Sequence, residues 1–223
     1  MATLAFDVYG TLINTHGVVS TLEELVGDQA KAFSNTWRDK QLEYSFRKGL
    51  MQNYETFAVC TSQALDYTCV FYGTSLSVGQ KQELMSLYRV LPAFDDVAEG
   101  LQQLQDAGLR LYAFSNGAAD ALEVLLNNAG IRGLFLGVVS VDDIKSFKPN
   151  PAVYSPFLRQ SKSTGGRAWL ISSNPFDVIG ASSAGMKSAW VRRSPEAIFD
   201  PWGIEPTLTV NNLLELGNKI RHV

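Results

Sequence analysis

The sequence predicts an α/β fold: a Rossmann-like parallel-sheet core with an inserted helical cap. Three observations point there. A short apolar strand, Leu4-Ala5-Phe6, opens the chain and runs straight into a carboxylate, Asp7. From about Ser20 to Arg89 the apolar residues recur at helical spacing, with no strand pattern among them. Beyond Leu91-Pro92, short buried strands alternate with amphipathic helices, the pattern of a parallel sheet with helices on both faces.

Taken in order, the first strand delivers Asp7 to its carboxyl end, and Val8-Tyr9-Gly10-Thr11 turns away at once. Open α/β sheets bind ligands in the crevice outside such strand ends; an aspartate there could equally cap the turn. In the helical stretch, Ala30, Phe33, Trp37, Gln41 and Tyr44 share a helical spacing, and Tyr54, Phe57 and Ser62 to Leu65 do so approximately. A segment this long and this aromatic is predicted to form its own layer rather than a loop. The expected division is a core domain of residues 1–14 and 92–223, with residues 15–91 as a cap above the strand ends. Leu101 and Leu104 then mark a helix that Gly108 can end. Leu109 to Phe114 reads as a buried strand ending at Ser115-Asn116-Gly117, and Leu122, Leu125 and Leu126 as a helix ended near Gly130. Gly137 to Ser140 is a short strand. Lys148-Pro149 precedes a helix carrying Val153, Phe157 and Leu158, and Ala168 to Ile171 is a strand ending in Ser172-Ser173-Asn174. Val178 to Ala184 is helical, Ala189-Trp190-Val191 is a further strand, and Leu213 to Ile220 is the last helix.

The net charge of −3, with acids and bases interspersed and no basic run, argues against a nucleic-acid-binding surface. No apolar stretch approaches the length of a membrane span. The apolar start is broken by Asp7 and has no basic segment before it, unlike a signal peptide, so a cytoplasmic protein is expected. Cys60 and Cys69, if on one helix, are nine steps of about 100° apart and face opposite ways, which excludes a bond between them. Buried free thiols in a reducing compartment follow. Neither His16 nor His222 stands at metal-ligand spacing from a cysteine or another histidine, so no zinc site is expected.

Polar groups collect at four strand ends: Asp7 and Thr11; Ser115 and Asn116; Lys148; and Ser172, Asn174 and Asp177. Parallel strands point to one edge, so these side chains can share a pocket. The set Phe6-Asp7-Val8-Tyr9-Gly10-Thr11-Leu12, Leu111-Tyr112-Ala113-Phe114-Ser115-Asn116-Gly117, Lys148-Pro149 and Ser172-Ser173-Asn174-Pro175-Phe176-Asp177 resembles the haloacid dehalogenase superfamily. The stretch Trp37-Arg38-Asp39-Lys40-Gln41-Leu42-Glu43-Tyr44 resembles, more narrowly, the L-2-haloacid (type II haloacid) dehalogenases.

That resemblance implies covalent catalysis by a carboxylate. Asp7 would attack C2 of a 2-haloacid in line with the halide, inverting that carbon, and water would cleave the resulting ester. Lys148 would lie beside Asp7 and hold it ionised. Thr11 and Ser115 would orient the carboxylate of Asp7 or of the substrate, with Asn116 and Asn174 as amide groups in the pocket. Asp177 would position or activate the water, and Ser172 and Tyr154 would complete the polar set. Arg38 would face the departing halide. Leu42, one turn on, would form an apolar wall around C2 with Tyr9, Phe57 and Phe176. The resemblance further implies a homodimer through the cap helices, and neither metal nor cofactor.

Two departures bear on the chemistry. Superfamily members acting on phosphate esters usually carry a second aspartate two residues after the nucleophile, to protonate the leaving group; Tyr9 stands there. They also begin the last motif with an acid that helps to bind Mg²⁺; the Ser172-Ser173-Asn174 run stands there, leaving Asp177 as the nearby acid. Halide leaves carbon without a proton, so both departures favour carbon–halogen cleavage over a small-molecule phosphatase. The Asp7, Lys148 and Asp177 set argues against a non-catalytic binding protein on this fold. Two further positions differ from the narrower family. Asp39 replaces a frequent uncharged amide, and Phe176 replaces a familiar indole. An acid 6 Å from an anionic substrate would repel it by about 3 kcal/mol at an effective dielectric of ~20, so Asp39 is expected to face solvent or to pair with Arg38.

Overall fold

A computed structural model describes residues 2–220. The chain begins with β1 (Thr3–Phe6) and passes through α1 (Val19–Val26), α2 (Ala30–Leu50), α3 (Phe57–Phe71) and α4 (Val78–Leu87). It then alternates through α5 (Val97–Asp106), β2 (Arg110–Ser115), α6 (Ala119–Asn128), β3 (Gly137–Ser140), α7 (Tyr154–Gln160), β4 (Ala168–Ser172), α8 (Pro175–Ser183), β5 (Lys187–Val191), β6 (Leu208–Val210) and α9 (Leu213–Lys219). The six strands form one sheet in the order β3-β2-β1-β4-β5-β6, every pairing parallel. The α/β class and the parallel sheet are as the sequence predicts.

Strand order reverses between β1 and β4, the point at which sheets of this kind open a crevice at their carboxyl ends. Register makes the crevice chemical. Phe6 stands opposite Ala113 on one side and Ile171 on the other. Asp7, Phe114 and Ser172 therefore leave the sheet level with one another.

Both faces of the sheet are buried, which is why its strands read as continuous apolar runs rather than alternating ones. Leu4 and Phe6 point into a core shared with Trp169 and Ile171 and continuous with Phe33, Trp37 and Phe57 of the inserted helices. Ala5 points the other way, to a second core with Phe114, Tyr154, Phe157 and Leu170. The inserted helices are tied together by polar contacts as well. Trp37 Nε1 donates to Thr61 O at 2.8 Å across the α2–α3 contact. Ser77 and Gln80 form a reciprocal capping box at the start of α4. Cys60 and Cys69 are free and buried, because α3 is packed against both α2 and α4.

Three elements differ from the sequence reading. β6 is a three-residue edge strand that pattern alone does not distinguish from the loop around it. α8 begins at Pro175, three residues early, because proline suits the first helical position; Phe176 and Asp177 thereby enter its first turn. Tyr54 precedes α3 instead of lying on a helix, and its ring stacks on Phe147 at 5.0 Å. Among the described residues no helix is long and apolar enough to cross a membrane. His222 lies outside the described residues.

Candidate active site

The turn after β1 is wound tightly. The carbonyl of Val8 accepts the amides of Thr11, Leu12 and Ile13 at 3.3, 3.0 and 3.0 Å. Gly10 takes φ +86, a left-handed conformation that a side chain would strain. The winding returns the Thr11 hydroxyl to Asp7, where it donates to Oδ2 at 2.9 Å. Ser172 Oγ and Asn174 Nδ2, from the end of β4, donate to the same oxygen at 3.0 and 2.6 Å. Among the described residues Oδ1 receives only Lys148 Nζ, at 3.2 Å.

Lys148 is 1% exposed. Its three N–H groups are all assigned: to Asp7, to Phe114 O at 2.7 Å and to Asp177 Oδ2 at 2.8 Å. The backbone N–H of Lys148 donates to Asn116 Oδ1 at 2.9 Å, so Asn116 seats the lysine. Asp177 is fully buried, and its Oδ1 accepts from the Tyr154 hydroxyl at 2.8 Å. Gly180, one turn on in α8, makes room for that hydroxyl: a Cβ there would stand 2.5 Å from it and 2.6 Å from Pro149 Cβ. Ser115 is buried but turned to its own loop, where its hydroxyl accepts from Gly117 N–H at 3.2 Å.

The two acids respond oppositely to burial. For Asp7, burial alone would raise the pKa, but Lys148 and the Thr11 and Asn174 hydrogen bonds outweigh it and hold the carboxyl below its ordinary value. For Asp177 burial prevails over Lys148 and Tyr154, and the pKa rises to about 6. Burial pulls Lys148 down, but the two acids more than compensate and keep it firmly charged.

A profile described as haloacid dehalogenase-like hydrolase matches residues 1–185. The (S)-2-haloacid dehalogenase of Pseudomonas putida is 36% identical over 96% of this chain and 94% of its own. The chain belongs to the haloacid dehalogenase-like hydrolases. The haloacetate dehalogenase H-2 of Moraxella sp. (strain B) is 35% identical over 93% of this chain and 92% of its own. A solved L-2-haloacid dehalogenase of Xanthobacter autotrophicus with chloropropionic acid covalently bound superposes with a TM-score of 0.90 at 30% identity, covering 99% of this chain and 98% of that one.

In this dehalogenase-like hydrolase α2 brings the Arg38 guanidinium to the turn after β1. Arg38 Nη2 donates to Tyr9 O at 3.2 Å, and Nη1 donates to Gln41 Oε1. Asn174 Nδ2 reaches the same Tyr9 carbonyl at 3.3 Å, so a group from α2 and a group from the end of β4 meet on one peptide. The four apolar positions divide into two contacts. The Tyr9 ring lies 5.8 Å from Phe57 and 6.4 Å from Tyr88. Phe176 instead meets Phe46 of α2 at 4.9 Å. Leu42 is half-buried and lies midway between Arg38 and Phe46 on the same stripe of α2. Asp39 is exposed, and no side-chain bond to Arg38 forms. A cleft of about 940 Å³ opens beside the Tyr9, Gln41, Phe57 and Tyr88 side chains; Asp7, Lys148 and Asp177 do not line it.

Several polar contacts escape a reading of the sequence. Ser173 donates its hydroxyl to Gly10 O at 2.8 Å and its amide to Thr11 Oγ1 at 2.8 Å. Gln41, read as a spacing residue of a helix core, is fully buried and anchored on Thr61. A polar residue on an otherwise apolar helix face was the available signal. Among the described residues no group of three or more His, Cys, Asp or Glu could hold a metal ion.

Proposed function

We propose that the chain hydrolyses L-2-haloalkanoic acids to 2-hydroxy acids through an ester on Asp7, with inversion at C2. The observation that carries this is the unequal provision of donors to the Asp7 carboxylate. Oδ2 has three donors, and Oδ1 has one longer bond to Lys148. Oδ1 is the freer oxygen to attack C2 in line with the halide. The C2–Oδ1 bond forms as the carbon–halogen bond breaks, and the halide leaves as an anion beside Arg38. Tyr9, buried among aromatic rings, supplies no acid to the leaving group, and halide requires none.

Ester formation leaves Oδ2 as the carbonyl oxygen. Water activated by Asp177 adds to the Asp7 carboxyl carbon, and the negative charge collects on Oδ2. Thr11, Ser172 and Asn174 are already placed to stabilise it. Collapse expels the 2-hydroxy acid, whose alkoxide oxygen takes the proton held by Asp177; the second proton of the water leaves to solvent, and Asp7 returns to a carboxylate. An Asp177 pKa of about 6 suits a base working near neutrality.

In this reading residues 15–91 act as the cap, and Tyr9, Phe57, Leu42 and Phe176 surround the carbon skeleton. A homodimer through the cap completes it, supported by the exposed Leu50, Met51, Val70 and Phe71 at the ends of α2 and α3; sedimentation would read the state directly.

The test is halide release from L-2-chloropropionate, its D enantiomer and chloroacetate, with p-nitrophenyl phosphate alongside, before and after exhaustive EDTA treatment. Release from the L acid that survives chelation is expected. A single turnover in H₂¹⁸O should place the label in the peptide containing Asp7; label confined to the product hydroxyl would sink the covalent scheme.

A further inference from the structure

Arg193 stands two residues beyond β5, where the chain leaves the sheet. Its guanidinium donates twice to the backbone carbonyl of Thr11, from Nε at 3.1 Å and from Nη2 at 2.6 Å. Nη1 donates to Asp96 Oδ1 at 2.6 Å, and this ion pair is largely buried. The second oxygen of Asp96 accepts the amide of Leu213, the first residue of α9, at 2.7 Å. The guanidinium also lies 4.3 Å over the Phe94 ring, and the Phe94 amide donates to Leu12 O at 3.0 Å. The ends of β5, α5 and α9 thus converge, through one arginine, on the turn that follows Asp7.

Every polar group of Thr11 is thereby assigned. Its hydroxyl donates to Asp7 Oδ2 and accepts the Ser173 amide, its own amide donates to Val8 O, and its carbonyl belongs to Arg193. A planar fork on a single carbonyl sets the direction of that peptide plane, which a lysine ammonium cannot do.

We infer that Arg193 is a positioning residue of the reaction: it locks the peptide plane after Thr11 so that the Thr11 hydroxyl stays on Oδ2 of Asp7 while the ester is cleaved. The inference rests on the nucleophilic role proposed for Asp7. Arg193 touches neither substrate nor reacting atoms and acts through Thr11. Because Thr11 serves the oxygen that becomes anionic in the second step, that step carries the effect.

The experiment is rapid-quench mass spectrometry with L-2-chloropropionate on the parent, Arg193→Ala and Arg193→Lys. Ester cleavage should slow by roughly a hundredfold in Arg193→Ala, the size of effect a small misplacement can produce, and ester formation should slow less. The acyl-protein should therefore accumulate. Arg193→Lys should behave nearly as poorly, and added guanidinium should recover part of the loss in Arg193→Ala. Adding Thr11→Val should cost little more in the Arg193→Ala background, because the two act as a unit. A lower melting temperature with the ratio of the two step rates unchanged would make Arg193 a structural residue only and overturn the inference. The ¹³C titration of the Asp7 carboxyl in the ligand-free protein is the second readout. With Lys148, Ser172, Asn174 and Arg38 still facing Asp7, loss of the Thr11 bond should raise its midpoint in both variants, and an unmoved midpoint in both overturns the inference. A parent that releases no halide would overturn the proposed function, and the titration would still decide the role of Arg193.

Discussion

On the sheet side of the site, the carboxylates of Asp7 and Asp177, the Lys148 ammonium and the Tyr154 hydroxyl are all bonded to one another or to the backbone within one buried network. The inserted helices offer the Arg38 guanidinium, held by one main-chain carbonyl and one glutamine. The contrast separates two tasks. The sheet side is organised before substrate arrives, because each group is fixed by partners that do not depend on it. The helical side borders an open cleft, and in the proposed function its cation is the group that substrate engages. Breaking the first should therefore damage stability and chemistry together, and breaking the second should damage chemistry more than stability.

The largest effect is expected from Lys148→Met. It leaves two buried acids facing each other without their shared cation, and breaking a buried pair costs about 3 kcal/mol or more. Turnover should be lost as well. Urea unfolding measures the first part, and a loss below ~1 kcal/mol would mean that the sheet-side groups do not depend on one another. Arg38→Ala comes next. Ester formation should fall by roughly a hundredfold, with less destabilisation than in Lys148→Met and with hydrolysis of a preformed ester less affected. A single-turnover rate near that of the parent would remove Arg38 from the chemistry, and with it the contrast between the two sides.

Tyr154→Phe should act on pH dependence. The Tyr154 hydroxyl lowers the Asp177 pKa against the larger effect of burial, so its removal should move the acid limb of ester hydrolysis upward from about pH 6. The stability consequence has a definite sign. Folded Asp177 keeps its proton to about pH 6, whereas the unfolded carboxyl releases it near 3.8. The folded state thus binds more protons in that window, and this group's contribution to stability falls as pH rises through it. Asp7, shifted down, works the other way: its contribution is present above its unfolded pKa and lost as pH falls toward its lower folded one. A limb that stays in place in Tyr154→Phe would assign it to another group. The smallest effect is expected from Asp39→Asn. An exposed acid screened by water should change kcat/KM by no more than about threefold, the scale of a surface change worth ~0.5 kcal/mol; a tenfold gain would show that Asp39 repels the substrate.

Much of the sheet side was legible in the chain because a parallel sheet turns separate strand ends into neighbours. Asp7, Thr11, Lys148, Ser172, Asn174 and Asp177 could be grouped from strand pattern alone, and all six lie in one network. The departure at Tyr9 was likewise readable, since it depends on residue type at a fixed step from Asp7. What only tertiary structure decided was the allocation of bonds. Ser115 serves its own turn, Asn116 holds the backbone of Lys148, and Phe176 meets Phe46 rather than Tyr9 and Phe57. Arg193 reaches Thr11 from 182 residues away. Local periodicity specifies which face a residue occupies, but not which of several nearby donors wins an acceptor. That is settled by ångström-scale distances between elements remote in sequence, and those distances exist only once the chain is folded.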